Sequence, residues 1–148
     1  MKTKQTIETH SEAETEDFAR QLAAEIRPGT VLALHGDLGA GKTVFTRGFA
    51  RGLGVTEAVS SPTYTILQEY RLPADHRLYH LDLYRINNYV AALGFGVEEY
   101  LEDPEAYIIA EWPERIKELL PETTLHIRLE HVDENTRRIT VGVKPDGF

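Results

Sequence analysis

The chain has 148 residues with 16 basic and 24 acidic side chains, a formal net charge of -8. That length is enough to bury one core and sets the expectation of a single domain over residues 1–148, while the acidic balance argues against a broad phosphate-backbone footprint of its own. No cysteine is present, which removes disulfides and thiolate sites, and no apolar stretch is long enough to span a bilayer.

Lys4 to Thr9 reads as a short edge strand. Ser11-Glu12-Ala13-Glu14 has capping-box form, in which the Ser11 hydroxyl accepts from the Glu14 N–H and the Glu14 side chain reaches back to the Ser11 N–H. The apolar face formed by Phe18, Ala19, Leu22, Ala23 and Ile26 predicts a helix over 12–26, ended by Pro28-Gly29. Two roles stay open for it: pure packing, or a start near Ser11 that contributes to a base pocket.

Val31 to His35 is an apolar run of strand character that leads into Gly36-Asp37-Leu38-Gly39-Ala40-Gly41-Lys42-Thr43. This is the Walker A spacing, Gly-x-x-x-x-Gly-Lys-Thr. Glycines let consecutive N–H groups turn inward around phosphate oxygens, and the helix that begins near Lys42 adds unpaired N–H groups and a cation. The Thr43 hydroxyl suits a magnesium ion that bridges phosphates. The nucleotide contacts expected are therefore Asp37, Leu38, Gly39, Ala40, Gly41, Lys42, Thr43 and Val44, with Ser11 from the preceding helix. Val44, Phe45, Phe49, Ala50 and Leu53 can pack the helix on the sheet, and Gly52-Leu53-Gly54-Val55 closes it.

Val59 to Tyr70 combines a Ser61-Pro62 turn with a β-prone run. Hydroxyls one crossover after such a loop suit a segment that senses phosphate and metal, with Thr63 the best placed; a plain turn before a strand is the alternative. Leu78 to Asp82 is strand-like and ends in a carboxylate, the form of Walker B. His80 reads as a supporting residue of that strand, since no metal-spaced His, Cys or carboxylate cluster accompanies it. Arg85 could contact phosphate or pair with an acid. Residues 87–104 read as two short helical pieces interrupted by Gly94 and Gly96.

Ala106 to Ala110 is a good buried strand that ends in Glu111-Trp112-Pro113. If the strands are parallel, Glu111 shares an edge with Asp82 and the glycine loop, where open α/β sheets bind ligands. Glu111 could orient water or complete a magnesium shell, or simply precede a helix started by Pro113 over residues 113–120. Trp112 is either packing or a partner anchor. Thr124 to Val132 and Arg138 to Val143 flank Asp133-Glu134-Asn135 and read as an antiparallel hairpin, with His126, Arg128, His131 and Arg138 on its solvated face.

The joint set of His35 to Thr43, Val59-Ser60-Ser61-Pro62-Thr63-Tyr64, His80-Leu81-Asp82-Leu83-Tyr84-Arg85 and Glu111-Trp112-Pro113 closely resembles the TsaE (formerly YjeE) family, P-loop ATPases of the bacterial tRNA threonylcarbamoyladenosine system. The resemblance covers most of the chain. It implies an α/β, single-domain P-loop nucleotide-binding fold: a mixed sheet with a parallel core and antiparallel C-terminal strands, flanked by helices. It implies binding and hydrolysis of ATP with Mg2+ in the cytoplasm, in support of a modification complex of the threonylcarbamoyl transferase TsaD and its companion TsaB. The tRNA would be engaged mainly through that complex, and no membrane is involved. Carried onto this chain, the resemblance gives Lys42, Thr63, Asp82 and Glu111 catalytic duties, Thr43, Asp82 and Glu111 the metal, and Trp112 a place in the remaining functional motif. Tyr64 stands where the family often has phenylalanine. A small-molecule kinase remains an alternative, without an evident Arg-rich lid, as does a nucleotide-binding module that does not turn over. No Asn-Lys-x-Asp guanine motif supports a GTPase.

Overall fold

The computed structural model of the chain describes residues 4–59 and 66–143. Ser60 to Thr65, which includes the Ser61-Pro62 turn, Thr63 and Tyr64, lies outside the described residues.

Buried apolar runs place two strands at the centre of a seven-stranded sheet. β2 (Val31–His35) is apolar and buried on both faces over its first four residues, and β5 (Ala106–Glu111) is nearly so. Such runs belong to parallel strands covered on both sides. The order across the sheet is β1-β7-β6-β2-β5-β4-β3, with β1 at Gln5–Thr9, β3 at Leu67–Arg71, β4 at Arg77–Asp82, β6 at Leu125–His131 and β7 at Arg137–Gly142. β4, β5, β2 and β6 run parallel, whereas β3–β4, β6–β7 and β7–β1 are antiparallel. The mixed sheet expected from the sequence is therefore present, and the order gives the two outer strands their seats: β3 antiparallel on the far edge, and the expected edge strand β1 beyond the C-terminal hairpin.

Register then sets the chemistry. Leu34 lies opposite Glu111, and Glu111 opposite Asp82. Both carboxylates end their strands on the edge from which the glycine loop leaves β2.

The sheet is covered on both faces. One core joins α1 (Glu12–Glu25) and α2 (Lys42–Leu53) to the sheet through Leu22, Phe45, Phe49, Ile127 and Ile139; the other gathers Leu83, Ile86, Val97, Leu101, Ile108 and Ile116. Short helices α3 (Tyr89–Leu93) and α4 (Val97–Leu101) contribute to the second core, as the Gly94 and Gly96 interruptions suggested. None of the helices among the described residues is long and apolar enough to cross a membrane.

Two local expectations need correction and a third holds. The Glu14 N–H does donate to Ser11 Oγ at 3.1 Å, but the Glu14 carboxylate accepts from the His10 N–H at 2.8 Å and not from Ser11, one residue further back than the simple capping box. Residues 113–119 form 3-10 turns broken at Ile116, whose φ of -129° turns its side chain into the core in place of continuing a helix. The Gly52-Leu53-Gly54-Val55 run does close α2, which continues to Leu53 and stops at Gly54, a left-handed residue whose N–H reaches Ala50 and Arg51 carbonyls.

Gly52 and Gly48 have a different task. A Cβ on Gly48 would stand 2.3 Å from the Glu16 carbonyl oxygen, and one on Gly52 would stand 2.7 Å from Ala23 Cβ. Spaced four apart, they form a bare stripe on α2 against which α1 lies backbone to backbone. Gly48→Ala should gain helix propensity yet lose about 1–3 kcal/mol of stability by overpacking. Denaturant unfolding tests this, and an unchanged or higher midpoint would show that α1 can give way.

Candidate functional site

The glycine loop owes its shape to two residues. Gly39 and Gly41 have φ of 81° and 101°, in the left-handed region that a Cβ disfavours, although neither has a backbone atom close enough to crowd one. Conformation, not space, selects glycine here. The first helical bond, from the Phe45 N–H to the Gly41 carbonyl, fixes the start of α2, and Phe45 and Phe49, both without solvent exposure, anchor the helix in the core.

A cleft of about 650 Å³ opens over this loop. Ser11, Leu38, Gly39, Gly41, Lys42, Thr43, Val44, Asp82, Glu111 and Trp112 all line it, as does Arg85. Asp37 and Ala40 instead line the groove on the outer side of the loop, and Thr63 lies outside the described residues. Sequence reading missed one wall, made by Glu12 and Thr15 of α1 and by Glu134, Asn135 and Arg137 of the β6–β7 hairpin. Arg137 donates to the Gly39 carbonyl at 3.5 Å. Only the β1-β7-β6 order brings these pieces to the loop, and no local motif signals it.

Lys42 is the least satisfied group in the cleft. Its residue is 7% exposed, and the buried Nζ has no hydrogen-bond partner. Burial pulls its pKa below the ordinary lysine value, while Glu111, Asp82, Glu114 and Asp37 oppose that shift. The ammonium rests 4.0 Å over the Trp112 ring, a cation–π contact that partly offsets its lost solvation.

Trp112 reaches that place through strain. Its φ of 58° and ψ of 48° are left-handed, unusual for a bulky residue and held here between the buried Glu111 and Pro113. Its other neighbour is Tyr84, with ring centroids 5.1 Å apart.

The carboxylates differ in setting. Asp82 Oδ1 accepts from the Tyr84 N–H at 3.1 Å and stays partly open to the cleft. Glu111 is 4% exposed, and its Oε2 lies 2.6 Å from His80 Nε2. His80 is thus a supporting residue, as its sequence context suggested. Among the described residues no cluster of three or more His, Cys, Asp or Glu side chains forms a metal cage. The oxygens present, Thr43 and two carboxylates beside a phosphate-shaped loop, fit a hard cation that takes its remaining ligands from phosphate and water.

The outer groove departs from expectation. His126 is buried, not solvated: its Nδ1 lies 2.9 Å from His35 Nε2, with the rings stacked at 5.2 Å. Arg128 is half-buried beside them, while Arg138 pairs with Glu8 across β1–β7. Burial, then the fields of His126, Arg128 and Lys42, lower the His35 pKa to about 4.

The sheet order and the glycine loop define a P-loop nucleotide-binding domain. The family model described as "Threonylcarbamoyl adenosine biosynthesis protein TsaE" matches residues 9–139. The tRNA threonylcarbamoyladenosine biosynthesis protein TsaE of Bacillus subtilis is 45% identical over 130 residues, covering 86% of this chain and 78% of its own. Its namesake in Rickettsia bellii is 39% identical over 134 residues, 90% of each chain. The crystal structure of Bacillus subtilis YdiB matches with a TM-score of 0.80 at 37% identity, covering 99% of this chain and 90% of that one. The chain belongs to the TsaE family.

Two measurements check this geometry. Trp112 is the sole tryptophan, so a nucleotide that draws Lys42 off its ring should change intrinsic fluorescence in the wild type and much less in Lys42→Ala; equal responses would detach the ring from the lysine. For His35, the ordinary value of 6.5 governs the unfolded chain and about 4 the folded one. Between them the unfolded state holds more protons, so stability falls as pH drops from 6.5 to 4. His35→Gln should flatten that part of the stability–pH curve, and an unaltered slope would remove His35 from it.

Proposed function

We propose that the chain is a magnesium-dependent ATPase that supports turnover of the complex forming threonylcarbamoyladenosine in tRNA. One observation carries the reading: a buried lysine ammonium without a hydrogen-bond partner at the mouth of a left-handed glycine loop, faced by two strand-end carboxylates. An anion is the group that would satisfy Lys42, and the triphosphate of ATP supplies one where the loop N–H groups converge.

The roles follow from position. Gly39, Ala40, Gly41 and Lys42, with Asp37, Leu38 and Val44 around them, take the phosphates, and Ser11 borders the far end of the cleft toward the base. Thr43 and Asp82 would hold magnesium, with Glu111 beside them. Bound there, magnesium would supply charge neutralisation for the phosphates. Glu111 orients the attacking water. Thr63 keeps the switch role that its motif suggests, and Trp112, between Lys42 and Tyr84, is the element a partner would touch.

The partners in this reading are TsaD and TsaB. A net charge of -8 leaves the tRNA contact to them. The work of such a single-domain accessory ATPase lies in the cytoplasm, where ATP and tRNA meet.

Hydrolysis measured for the chain alone and with the TsaB–TsaD complex tests the proposal. Stimulation is expected, and its absence despite assembly would leave a binding module without turnover. Lys42→Ala should weaken ATP binding about 10- to 100-fold, since it removes charge-assisted hydrogen bonds; unchanged affinity by calorimetry would reject the phosphate assignment. Glu111→Ala should cut stimulated turnover about 100-fold or more while the chain stays folded. Near-normal turnover would remove Glu111 from the water.

A further inference from the structure

Resting on the water-positioning role of Glu111, we infer that His80 is the positioning residue for that carboxylate: its Nε2–H pins one oxygen and thereby fixes how the other meets the cleft. Strand geometry sets up the contact. His80 and Asp82 are two apart on β4 and share a face, and Asp82 lies opposite Glu111 in the parallel pair. His80 is therefore the diagonal neighbour of Glu111, within reach of two long side chains.

The bond is short and sealed, 2.6 Å between residues 1% and 4% exposed. Among the described residues no other side chain hydrogen-bonds the Glu111 carboxylate. A glutamate reaching from a strand end into a cleft of this width otherwise has several rotamers to choose from. His80 removes that choice.

The second imidazole nitrogen gives the direction of the bond. His80 Nδ1 is buried and has no partner. If it carried the proton, a buried N–H donor would go unmet, which costs more than a bare acceptor lone pair. The ring is therefore the Nε2–H tautomer with Nδ1 bare, and Nε2–H donates to Glu111 Oε2. A single donor then occupies a single oxygen, and the remaining oxygen is the one available to water. Stability alone does not call for such a pair, since apolar residues of similar volume serve a buried site as well or better.

Three variants separate positioning from packing. His80→Gln keeps an amide N–H at about the reach of Nε2; His80→Asn carries the same group on a shorter stem; His80→Leu fills the space without a donor. In ATP hydrolysis stimulated by the TsaB–TsaD complex, His80→Asn and His80→Leu should lose about 10- to 100-fold in kcat, the range for removing a group that orients an active-site ligand. KM and calorimetric ATP affinity should hold within about threefold, and His80→Gln should recover most of kcat. An imidazole nitrogen–proton NMR spectrum of the chain alone, assigned with His80→Gln, should show His80 protonated at Nε2 and perturbed by Glu111→Ala.

Full turnover in His80→Leu overturns the inference, as do equal kcat values for His80→Gln and His80→Asn, a kcat loss matched by lost ATP affinity, or protonation at Nδ1. If His80→Leu does not fold, the Gln and Asn pair and the spectrum decide. An active Glu111→Ala chain overturns the water-positioning reading together with this inference; an inactive Glu111→Ala chain beside a fully active His80→Leu chain overturns this inference alone.

Discussion

The parallel register of β2, β5 and β4 is the constraint on which the site depends. Leu34, Glu111 and Asp82 stand abreast only because these three strands run the same way and hold this register. A slip of one residue in β5 would turn Glu111 to the opposite face and bring Ala110 or Trp112 into its place. The buried apolar run of β5 forbids that slip, since both of its faces are filled by side chains from the two cores. Burial on the sheet faces thus fixes chemistry at the sheet edge. The same register places His80 beside Glu111, so the support of the carboxylate comes with its position.

Against that rigid edge, the cleft holds its charges in poor company. Lys42 is desolvated without a hydrogen bond, Glu111 is buried with one, and Trp112 sits in a backbone region that bulky residues avoid. Each feature opposes stability, and the surrounding core must outweigh them. Phe45 and Phe49 do so locally by locking the helix that carries Lys42, and each fully buried phenylalanine contributes about 1.5–3 kcal/mol. An anion arriving at the glycine loop would relieve the first of these features, the Lys42 ammonium, and not the Glu111 carboxylate or the Trp112 backbone. Lys42 would trade a ring face for oxygens, and Trp112 would lose the cation that holds its ring.

How far the sequence foretold this varied with the range of the interaction. The glycine loop, the strand-end carboxylates and the Ser11 cap were legible because each is local: a spacing of a few residues implies its own backbone geometry. The parallel core was legible from unbroken apolar runs at Val31 and Ala106. What escaped was set by neighbours far along the chain. Gly52 read only as part of the run that closes α2, and only the approach of α1 shows it, together with Gly48, as a contact stripe. His126 alternated with apolar residues like any solvated strand residue, yet its face is covered because β6 pairs with β2 and brings His35 alongside. The break at Ile116 follows from a pull into the core that local propensity does not record.

The unanticipated wall of the cleft follows from the same non-local logic. β1 pairs with β7, so the start of α1 and the β6–β7 turn lie side by side, with His10 3.4 Å from Thr136 and Thr9 hydrogen-bonded to Thr15. Arg137 at the base of that turn reaches the Gly39 carbonyl. The first and last strands therefore close one side of the site while the central strands supply its chemistry. An edge strand in such a place does more than end a sheet, because loss of the β1–β7 pairing would free Ser11, Glu12 and Arg137 from the loop together. The phosphate end of the cleft is built by local motif and the opposite end by sheet order, and the two meet at Gly39, where the left-handed loop turns its carbonyl toward the Arg137 guanidinium.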